Sequence, residues 1–437
     1  MTDLADTPAS ALWEEWLLLD AAGRVAGFHA LPEDAREDFF ESLDPREQVD
    51  LLLALPGRER RLWVRTLAPD DAADLVQEAP ADERPPLLDL LDDATRFEVR
   101  ALLAYAEDEA GGLMNPRFAR VRPDLTVGEA IRYLRRQAAQ LETLYYIYVL
   151  DEQQHLVGVL SLRELFQQPD DRPVHEIMHR EVITVPEDAD QEAVARLYVQ
   201  QDFAAIPVTD ATGRLRGIIT FDDIADVVRE EATEDIQKLG AVAPVEEPYL
   251  SVRLTALVRK RAGWLAVLFL GEMLTATAMG FFEHEIAKAV VLALFIPLII
   301  SSGGNSGSQA TTLIIRAMAL GEVKLRDWWR VLVREIGAGL ALGLILGAIG
   351  LVRILLWQVV GHPYSPHAVG IGLTVAVSLV GVVLWGSVVG SMLPFALRRV
   401  GFDPASASAP LVATLVDVTG LVIYFTAASI LLAGTLL

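Results

Sequence analysis

The sequence predicts a multidomain membrane protein with an α-helical superhelical N domain, a tandem α/β pair and a transmembrane domain of five helices. Three features lead to this prediction: an acidic first half, an internal repeat within it, and five long apolar stretches after it. The 437-residue chain combines a net charge of −23 with a mean hydropathy of +0.34. A single soluble domain does not usually combine so large a negative charge with so high a mean hydropathy. The two halves of the chain therefore have to be considered separately.

Charge is distributed very unevenly along the chain. Residues 1–250 hold 52 acidic and 24 basic residues, a net charge of −28, whereas residues 251–437 carry +5. A negative field of this size repels nucleic acid and attracts cations, so we expect no nucleic-acid partner. The chain contains no cysteine, which excludes disulfides, zinc–thiolate sites and thiol catalysis. The N-terminal stretch lacks the pattern of a signal peptide, so the acidic half is expected to stay where it is made.

The second half contains five apolar stretches long enough to cross ~30 Å of hydrocarbon, which requires about 20 helical residues. The predicted spans are 264–282, 287–316, 335–360, 369–397 and 409–436. Basic residues precede span one, separate spans two and three, and follow span four, whereas "FEHEIAK" has one Lys and "GHPYSPHAVG" has no Lys or Arg. The positive-inside rule then places the acidic half in the cytosol and the C-terminus outside the cytoplasmic (inner) membrane. Because five spans enclose a pore poorly, we expect a homodimer with the pore on its two-fold axis.

The acidic half divides into a helical domain and a repeat. Residues 1–112 contain short Leu- and Ala-rich helical patterns separated by prolines, which predict the superhelical domain. Met114 and Met178 begin two copies of a strand–helix–strand–strand–helix pattern, for which we predict bounds of 113–173 and 174–240. The membrane domain is expected at 263–437.

Carboxylates in the acidic half fall into sets with helical spacing. Like charges four residues apart destabilise a helix, and a divalent cation removes that penalty because Mg²⁺ and Ca²⁺ bind carboxylate oxygens. For any single residue, a solvated acidic surface remains an equally good interpretation. The candidates are Asp70, Asp74, Asp190, Glu192, Asp202, Asp222, Asp223, Asp226, Glu234 and Asp235.

The last span, "PLVATLVDVTGLVIYF", contains an acid in mid-membrane. An ionised Asp417 there costs roughly 3 kcal/mol on insertion scales. A structural ion pair between Asp417 and Arg353 or Arg316 is the weaker alternative to a role in a pore. Both arginines lie near span ends and can extend to the membrane interface. We expect one helical face of this span to line a wet pore. That face comprises Pro410, Ala413, Thr414, Asp417, Gly420, Leu421 and Tyr424.

Two further features of the membrane half bear on function. Glycines and small polar residues at 303–309 interrupt an apolar run, which indicates close helix packing or a wet cavity rather than contact with lipid. Glu272 in span one is either a second ion ligand or a helix–helix hydrogen-bonding group. A membrane metalloprotease would need H-E-x-x-H, which is absent, so no catalytic residues are assigned. A receptor that does not conduct would need neither the acid nor the glycine-rich break.

Together, "SSGGNSGSQATTLIIRAMA", "PLVATLVDVTG", "EATEDIQKLGA" and the repeat copy "FAAIPVTDATGRLRGIITFDDI" resemble the MgtE family of magnesium channels and transporters. The resemblance covers essentially the whole chain and implies an N domain, tandem CBS domains, a connecting (plug) helix at 241–262 and a five-span pore. It also implies Mg²⁺ as transported and regulatory ion, with ATP as a modulator at the CBS pair in some relatives. Co²⁺, Ni²⁺ or Ca²⁺ is the alternative cargo. The absence of cysteine argues against a soft metal.

The resemblance assigns roles to individual residues. Asp417 matches the pore acid that binds the hydrated ion, with Asn305, Gly304, Ala413 and Thr414 beside it. Asp403 matches an acid that holds the closed state. Cytosolic Mg²⁺ would favour closure by bridging carboxylates, and can shift that equilibrium only by its differential affinity for the two states. The regulatory ligands implied are Asp70, Asp74, Asp190, Glu192, Asp202, Asp223, Asp226, Glu234, Asp235 and Asp403. The sequence is compatible with both channel-like flux and coupled transport.

Overall fold

The computed structural model describes residues 8–201, 203–245, 249–250, 252–359 and 367–433. The chain folds as two compact units, Met1–Arg229 and Glu230–Leu437. Asp202, one of the predicted metal ligands, lies outside the described residues.

The N-terminal part of the first unit is a succession of short helices, as predicted. Their ends follow local sequence signals: Asp44 forms a capping box with Glu47, and Pro45 and Pro69 occupy first-turn positions that lack a hydrogen-bonding requirement. Their apolar faces share one core rich in aromatic rings. The helices are α1 Pro8–Glu15, α2 Ala21–Ala30, α3 Glu33–Ser42, α4 Pro45–Ala54, α5 Gly57–Val64, α6 Pro69–Glu78, α7 Arg84–Leu88, α8 Asp93–Leu102 and α9 Ala110–Leu113.

The repeat predicted from sequence forms two matching three-stranded sheets. In each sheet the first strand runs parallel to the second, and the second runs antiparallel to the third. The first copy contains β1 Arg120–Val121, α10 Val127–Gln137, β2 Tyr146–Leu150, β3 Leu156–Ser161, α11 Leu162–Phe166 and α12 Val174–Ile177. The second contains β4 Val185–Pro186, α13 Gln191–Gln201, β5 Ala205–Thr209, β6 Leu215–Thr220 and α14 Phe221–Leu239.

The two copies exchange their leading segments. Asn115, at the start of the first copy, pairs with Ile218 of the second sheet, and His179 pairs with Val159 of the first. Glycine is needed where these segments cross: a Cβ on Gly217 would lie 2.7 Å from Met114 Cγ. The crossing carries Asn115 away from its own sheet, which becomes important for the cytosolic carboxylates.

The separate connecting helix expected at 241–262 is wrong. Helix α14 ends at Leu239, and Ala241 follows with a φ of 55°. The described residues from 240 to 253 lie outside helices, and residues 254–262 form the first part of the span-one helix. Pro244 contributes to the interruption, since a proline disfavours helical geometry in the residue before it.

In the parts of the second unit that the structure describes, five helical segments are long and apolar enough to cross a membrane, in agreement with the sequence prediction. Several begin earlier than predicted: Leu254 rather than 264 and Leu325 rather than 335, because the helices continue through basic and aromatic interfacial residues. The helices are α15 Leu254–Phe281, α16 Glu283–Lys288, α17 Ile296–Ala319 with a preceding 3₁₀ segment Val290–Phe295, α18 Trp328–Val359, α19 Ala368–Arg399 and α20 Ala409–Leu431.

Helix α19 packs closely against α17 through paired glycines. A Cβ on Gly386 would overlap the carbonyl oxygen of Gly303, and one on Gly390 would overlap that of Gly307. Such small residues let two membrane helices approach at backbone distance. Beside them, Ser306 Oγ lies 2.8 Å from Ser387 Oγ. The glycine-rich break of span two is therefore a helix-packing surface on one face.

Candidate functional site: a membrane acid and a cytosolic carboxylate cluster

Asp417 is half-buried where α20 meets α17. A Cβ on Gly304 would lie 3.4 Å from Asp417 Oδ1 and 3.3 Å from Ala413 Cβ, so the glycine leaves room beside the carboxylate. The structure thus brings together three of the five residues predicted for the pore. Within the described part of the chain no basic side chain pairs with Asp417. The alternative partner Arg353 instead lies over the Trp357 ring, 3.9 Å from its centroid.

The other two predicted pore residues lie nearby along the same helices. Thr414 uses its hydroxyl within α20, donating to the carbonyl oxygen of Pro410 at 3.0 Å. Asn305 is exposed beside Gly304, and its Nδ2 lies 3.4 Å from Ser301 Oγ. Both side chains therefore have local partners, and Asn305 remains accessible from outside the protomer.

The expected pore-facing stripe of α20 does not continue beyond Asp417. Gly420, Leu421 and Tyr424 are buried inside the protomer. A Cβ on Gly420 would lie 3.1 Å from Val382 Cγ1, and the Tyr424 hydroxyl donates to the carbonyl oxygen of Leu292 at 2.9 Å. That part of the prediction is wrong, because packing against neighbouring helices covers the C-terminal half of the stripe.

A cluster of carboxylates occupies the first unit. Asp70 begins α6 and is only 6% exposed, and Asn115 Nδ2 donates to it at 3.0 Å and to Glu142 Oε2 at 2.7 Å. Asp223, at the start of α14, accepts hydrogen bonds from Thr220 N and Oγ1 at 2.9 and 2.8 Å. We call the set Asp70, Asp71, Glu142, Asp222 and Asp223 the acidic cluster.

The acidic cluster has strongly perturbed protonation. Burial, followed by the charges of Asp223, Asp71 and Glu142, raises the pKa of Asp70 well above its usual value. Burial raises the pKa of Asp223 to about 7, with a further contribution from Asp222, although the Thr220 hydrogen bonds oppose the shift. Asp71 keeps some solvent exposure, yet desolvation by its surroundings and the charges of Glu142 and Asp222 raise its pKa to about 7. Carboxylates crowded in this way favour a proton or a cation.

Sequence reasoning found only part of the acidic cluster. Asp70, Asp222 and Asp223 stood out through helical spacing, whereas Asp71, Glu142 and the bridging Asn115 were missed. Asp71 could have been noticed as the neighbour of Asp70, but nothing local marks Glu142. Across the described residues, no group of three or more His, Asp or Glu side chains has the spacing of a formed metal site.

The remaining predicted ligands of the first unit are engaged in local structure. Asp190 caps α13 by accepting from Glu192 N at 3.0 Å and Ala193 N at 3.3 Å. The side chains of Glu192 and Asp226 form ion pairs with Arg196 and Arg229 at 2.6 and 2.8 Å. Asp74 is half-buried on α6, one turn after Asp70.

In the second unit, a lysine joins two of the predicted metal ligands. Lys238 Nζ lies 2.7 Å from Glu234 Oε1 and 2.6 Å from Asp403 Oδ2. Burial would lower the pKa of Lys238, but its hydrogen bonds to Asp403 and Glu234 outweigh that effect and raise it. Asp235 lies on the same helix, α14. Sequence reasoning did not single out Lys238, which here supplies the positive charge between the two acids.

Among the described residues, five membrane-length helices follow a soluble N-terminal half, and no basic side chain pairs with the acid at membrane depth. This arrangement is typical of a multi-pass transport protein. Family models agree along most of the chain. Residues 296–427 match the MgtE divalent cation transporter, residues 9–108 the MgtE intracellular N domain, and residues 110–170 and 174–230 the CBS domain.

Curated relatives extend this agreement over nearly the whole length. The chain is 46% identical to the magnesium transporter MgtE of Thermus thermophilus over 97% of this chain and 92% of that one. It is 30% identical to the magnesium transporter MgtE of Bacillus subtilis, over 90% and 85% of the two chains. The chain belongs to the MgtE family, which is a family of transporters and not of enzymes.

Solved structures also match the cytosolic half. The cytosolic domain of the Mg²⁺ channel MgtE in complex with ATP is 45% identical, with coverage of 51% of this chain and 90% of that one and a TM-score of 0.47. The soluble part of a magnesium transporter is 32% identical, with coverage of 51% and 93% and a TM-score of 0.41.

Proposed function

We propose that this protein carries Mg²⁺ into the cell across the cytoplasmic membrane, as a homodimer with a cytosolic N-terminal half and an external C-terminus. One observation carries the proposal: Asp417 is a half-buried membrane acid without a basic partner in the described chain, packed against Gly304. The magnesium transporters named among its relatives support the choice of ion. Co²⁺, Ni²⁺ and Ca²⁺ have no such support.

The physical role of Asp417 follows from the hydration of Mg²⁺. This ion loses water reluctantly, so a carboxylate holds it best through its bound waters. Gly304 and Ala413 place no bulky side chain beside the carboxylate, which leaves space for a hydrated ion. Two copies of Asp417 across a two-fold axis would balance its double charge. Asn305 and Thr414 lie close enough along their helices to contribute oxygen atoms near this site.

Cytosolic Mg²⁺ would regulate the pore by binding to carboxylates. The acidic cluster supports this step, because a bound cation relieves the repulsion that raises the pKa of Asp70, Asp71 and Asp223. The other proposed regulatory ligands are Asp74, Asp190, Glu192, Asp202, Asp226, Glu234, Asp235 and Asp403. We extend ATP binding to the CBS pair of this chain because the cytosolic domain of a relative that is 45% identical was solved with ATP.

Complementation tests the proposed function directly. Bacterial cells that cannot take up Mg²⁺ would receive the wild-type gene, Asp417→Asn, or Glu283→Gln, a control at an exposed acid of α16. Wild type and Glu283→Gln should restore growth at low Mg²⁺, and Asp417→Asn should reduce uptake at least tenfold because it removes the proposed ion-binding charge. Growth with Asp417→Asn would remove the pore role. No growth with wild type would remove the function.

A further inference from the structure

We propose that Glu272 of α15 is a second ion-binding carboxylate, which joins Asp417 in holding a hydrated divalent cation in the pore. This inference rests on the proposed function. It adds a ligand from a helix other than α17 and α20. Of the two interpretations that the sequence leaves open for Glu272, it favours the ion ligand.

The register of two helices places Glu272 at nearly the same height along the helix axes as Asp417. A Cβ on Gly271 would lie 2.8 Å from Thr414 Cγ2, and the Phe282 ring stacks on Phe425 with centroids 5.1 Å apart. Both contacts join residues 143 positions apart. Helices α15 and α20 therefore run in the same direction and keep one register between the two contacts. At this offset Asp417 lies level with residue 274. At about 1.5 Å of rise per residue, Glu272 is only about 3 Å from that level along the axis.

Glu272 has no partner that would make it a structural group. Within the described residues it forms no ion pair and no hydrogen bond, which removes the interpretation as a helix–helix hydrogen bond inside the protomer. The charge of Glu272 acts on Asp417. Two carboxylates close together at membrane depth repel each other and are poorly solvated. A cation between them relieves both penalties.

A buried hydroxyl supplies an independent indication of a ligand. Thr275 is 8% exposed, and its Oγ1 has no hydrogen-bond partner among the described residues. A buried hydroxyl is normally satisfied, in a helix often by the carbonyl four residues earlier. Thr275 lies one turn beyond Gly271 on the α15 face that meets α20, and three residues from Glu272. Its free hydroxyl can accept or donate a hydrogen bond to a water of the ion's hydration shell.

The chemistry of these groups selects the class of ligand. Several carboxylates at one site favour a divalent over a monovalent cation, because the Coulomb attraction grows with the charge of the ion. Hydroxyl and carboxylate oxygens suit Mg²⁺ with its waters retained. Glu272 should therefore raise the affinity for Mg²⁺ and the preference for Mg²⁺ over K⁺.

The test is Mg²⁺ flux into proteoliposomes containing the purified full-length protein and a Mg²⁺-sensitive dye. Glu272→Gln keeps the size of the side chain and removes its charge. It should raise the half-saturating Mg²⁺ concentration about tenfold and lower the Mg²⁺/K⁺ preference. Glu272→Asp, which keeps the charge, should resemble wild type, as should the control Glu283→Gln. A structural role would not produce this difference between Gln and Asp.

The outcomes separate this inference from the proposed function. Absent flux with wild type, or normal flux with Asp417→Asn, would overturn the proposed function. Loss of flux with Asp417→Asn together with wild-type affinity for Glu272→Gln would overturn only the role of Glu272. If Glu272→Gln fails to insert, Glu272→Asp and Glu272→Asn provide a second size-matched pair. Equal Mg²⁺ affinities in that pair would overturn the inference, and a weaker affinity for Glu272→Asn would support it.

Discussion

At the scale of single residues, Asp70, Asp71 and Asp223 retain protons at pH values where an isolated aspartate has lost its own. A raised pKa in the folded protein means that the native state binds more protons than the unfolded state between pH 4 and about 7. The free energy of unfolding therefore decreases as the pH rises through that window, when no cation is present. Divalent cations should offset the loss mainly at the upper end.

Asp71→Asn tests this linkage. Without divalent cations, the substitution should raise the unfolding temperature of the full-length protein by a few °C at pH 8, because it removes a repelled charge, and should raise it clearly less at pH 5. Thermal unfolding in detergent at the two pH values measures this. Asp93→Asn is the control, since the Asp93 side chain is fully exposed. Equal effects of Asp71→Asn at both pH values would contradict the pKa assignment.

The acidic cluster also shows what a sequence can and cannot predict about a site. Asp70 and Asp223 were predicted because acids at helical spacing are visible locally. Glu142 and Asn115 were not, because their contact depends on the exchange of leading segments between the two repeats. Lys238 is a similar case. Its partner Asp403 lies 165 residues away, and no local pattern pairs a lysine with a distant acid.

At the scale of elements, the membrane helices were predicted from length and hydropathy, and their contacts were not. A run of apolar residues indicates that a helix crosses the membrane. The ends of that helix depend on interfacial residues that are also helical, such as the ten additional residues at the start of α15. The connecting helix at 241–262 was wrong because it followed from the family resemblance and not from a local helical pattern. Helix α14 ends at Leu239, and the next helix begins at Leu254.

Two glycines test the packing of α17 against α19. Gly390→Ala should destabilise the membrane unit by about 1–3 kcal/mol or more, because the added Cβ overlaps a backbone carbonyl that cannot move aside easily. Gly337→Ala in α18 is the matched control, since a Cβ there meets nothing within 4 Å and should stabilise the helix by about 0.5–1 kcal/mol. Thermal unfolding in detergent compares the two. A similar response of both variants would argue against close α17–α19 packing.

At the scale of the whole molecule, the two halves of the chain differ in charge by sign as well as by size. A net charge of −28 before residue 251 and +5 after it suits a cytosolic half that gathers cations and a membrane half whose basic loops face the same side. The orientation is the part of this arrangement that a direct measurement should establish.

The absence of cysteine makes that measurement straightforward. Glu283→Cys, at the start of α16, should react with a membrane-impermeant maleimide in intact cells, because the loop after span one is proposed to lie outside. Glu322→Cys, between α17 and α18, should react only after the cells are made permeable. Labelling followed by a shift in gel mobility reports both positions. Reaction of Glu322→Cys in intact cells would reverse the proposed orientation.

The hydrogen bond from Tyr424 to the carbonyl oxygen of Leu292 has a consequence for how the protein is made. Leu292 belongs to the 3₁₀ segment that leads into the second span, and Tyr424 lies in the fifth. A ribosome delivers the second span to the bilayer well over a hundred residues before Tyr424 exists. During that interval a backbone carbonyl at membrane depth lacks its final partner, an unfavourable state in hydrocarbon. The entrance of the second span therefore reaches its mature form only when the end of the chain arrives.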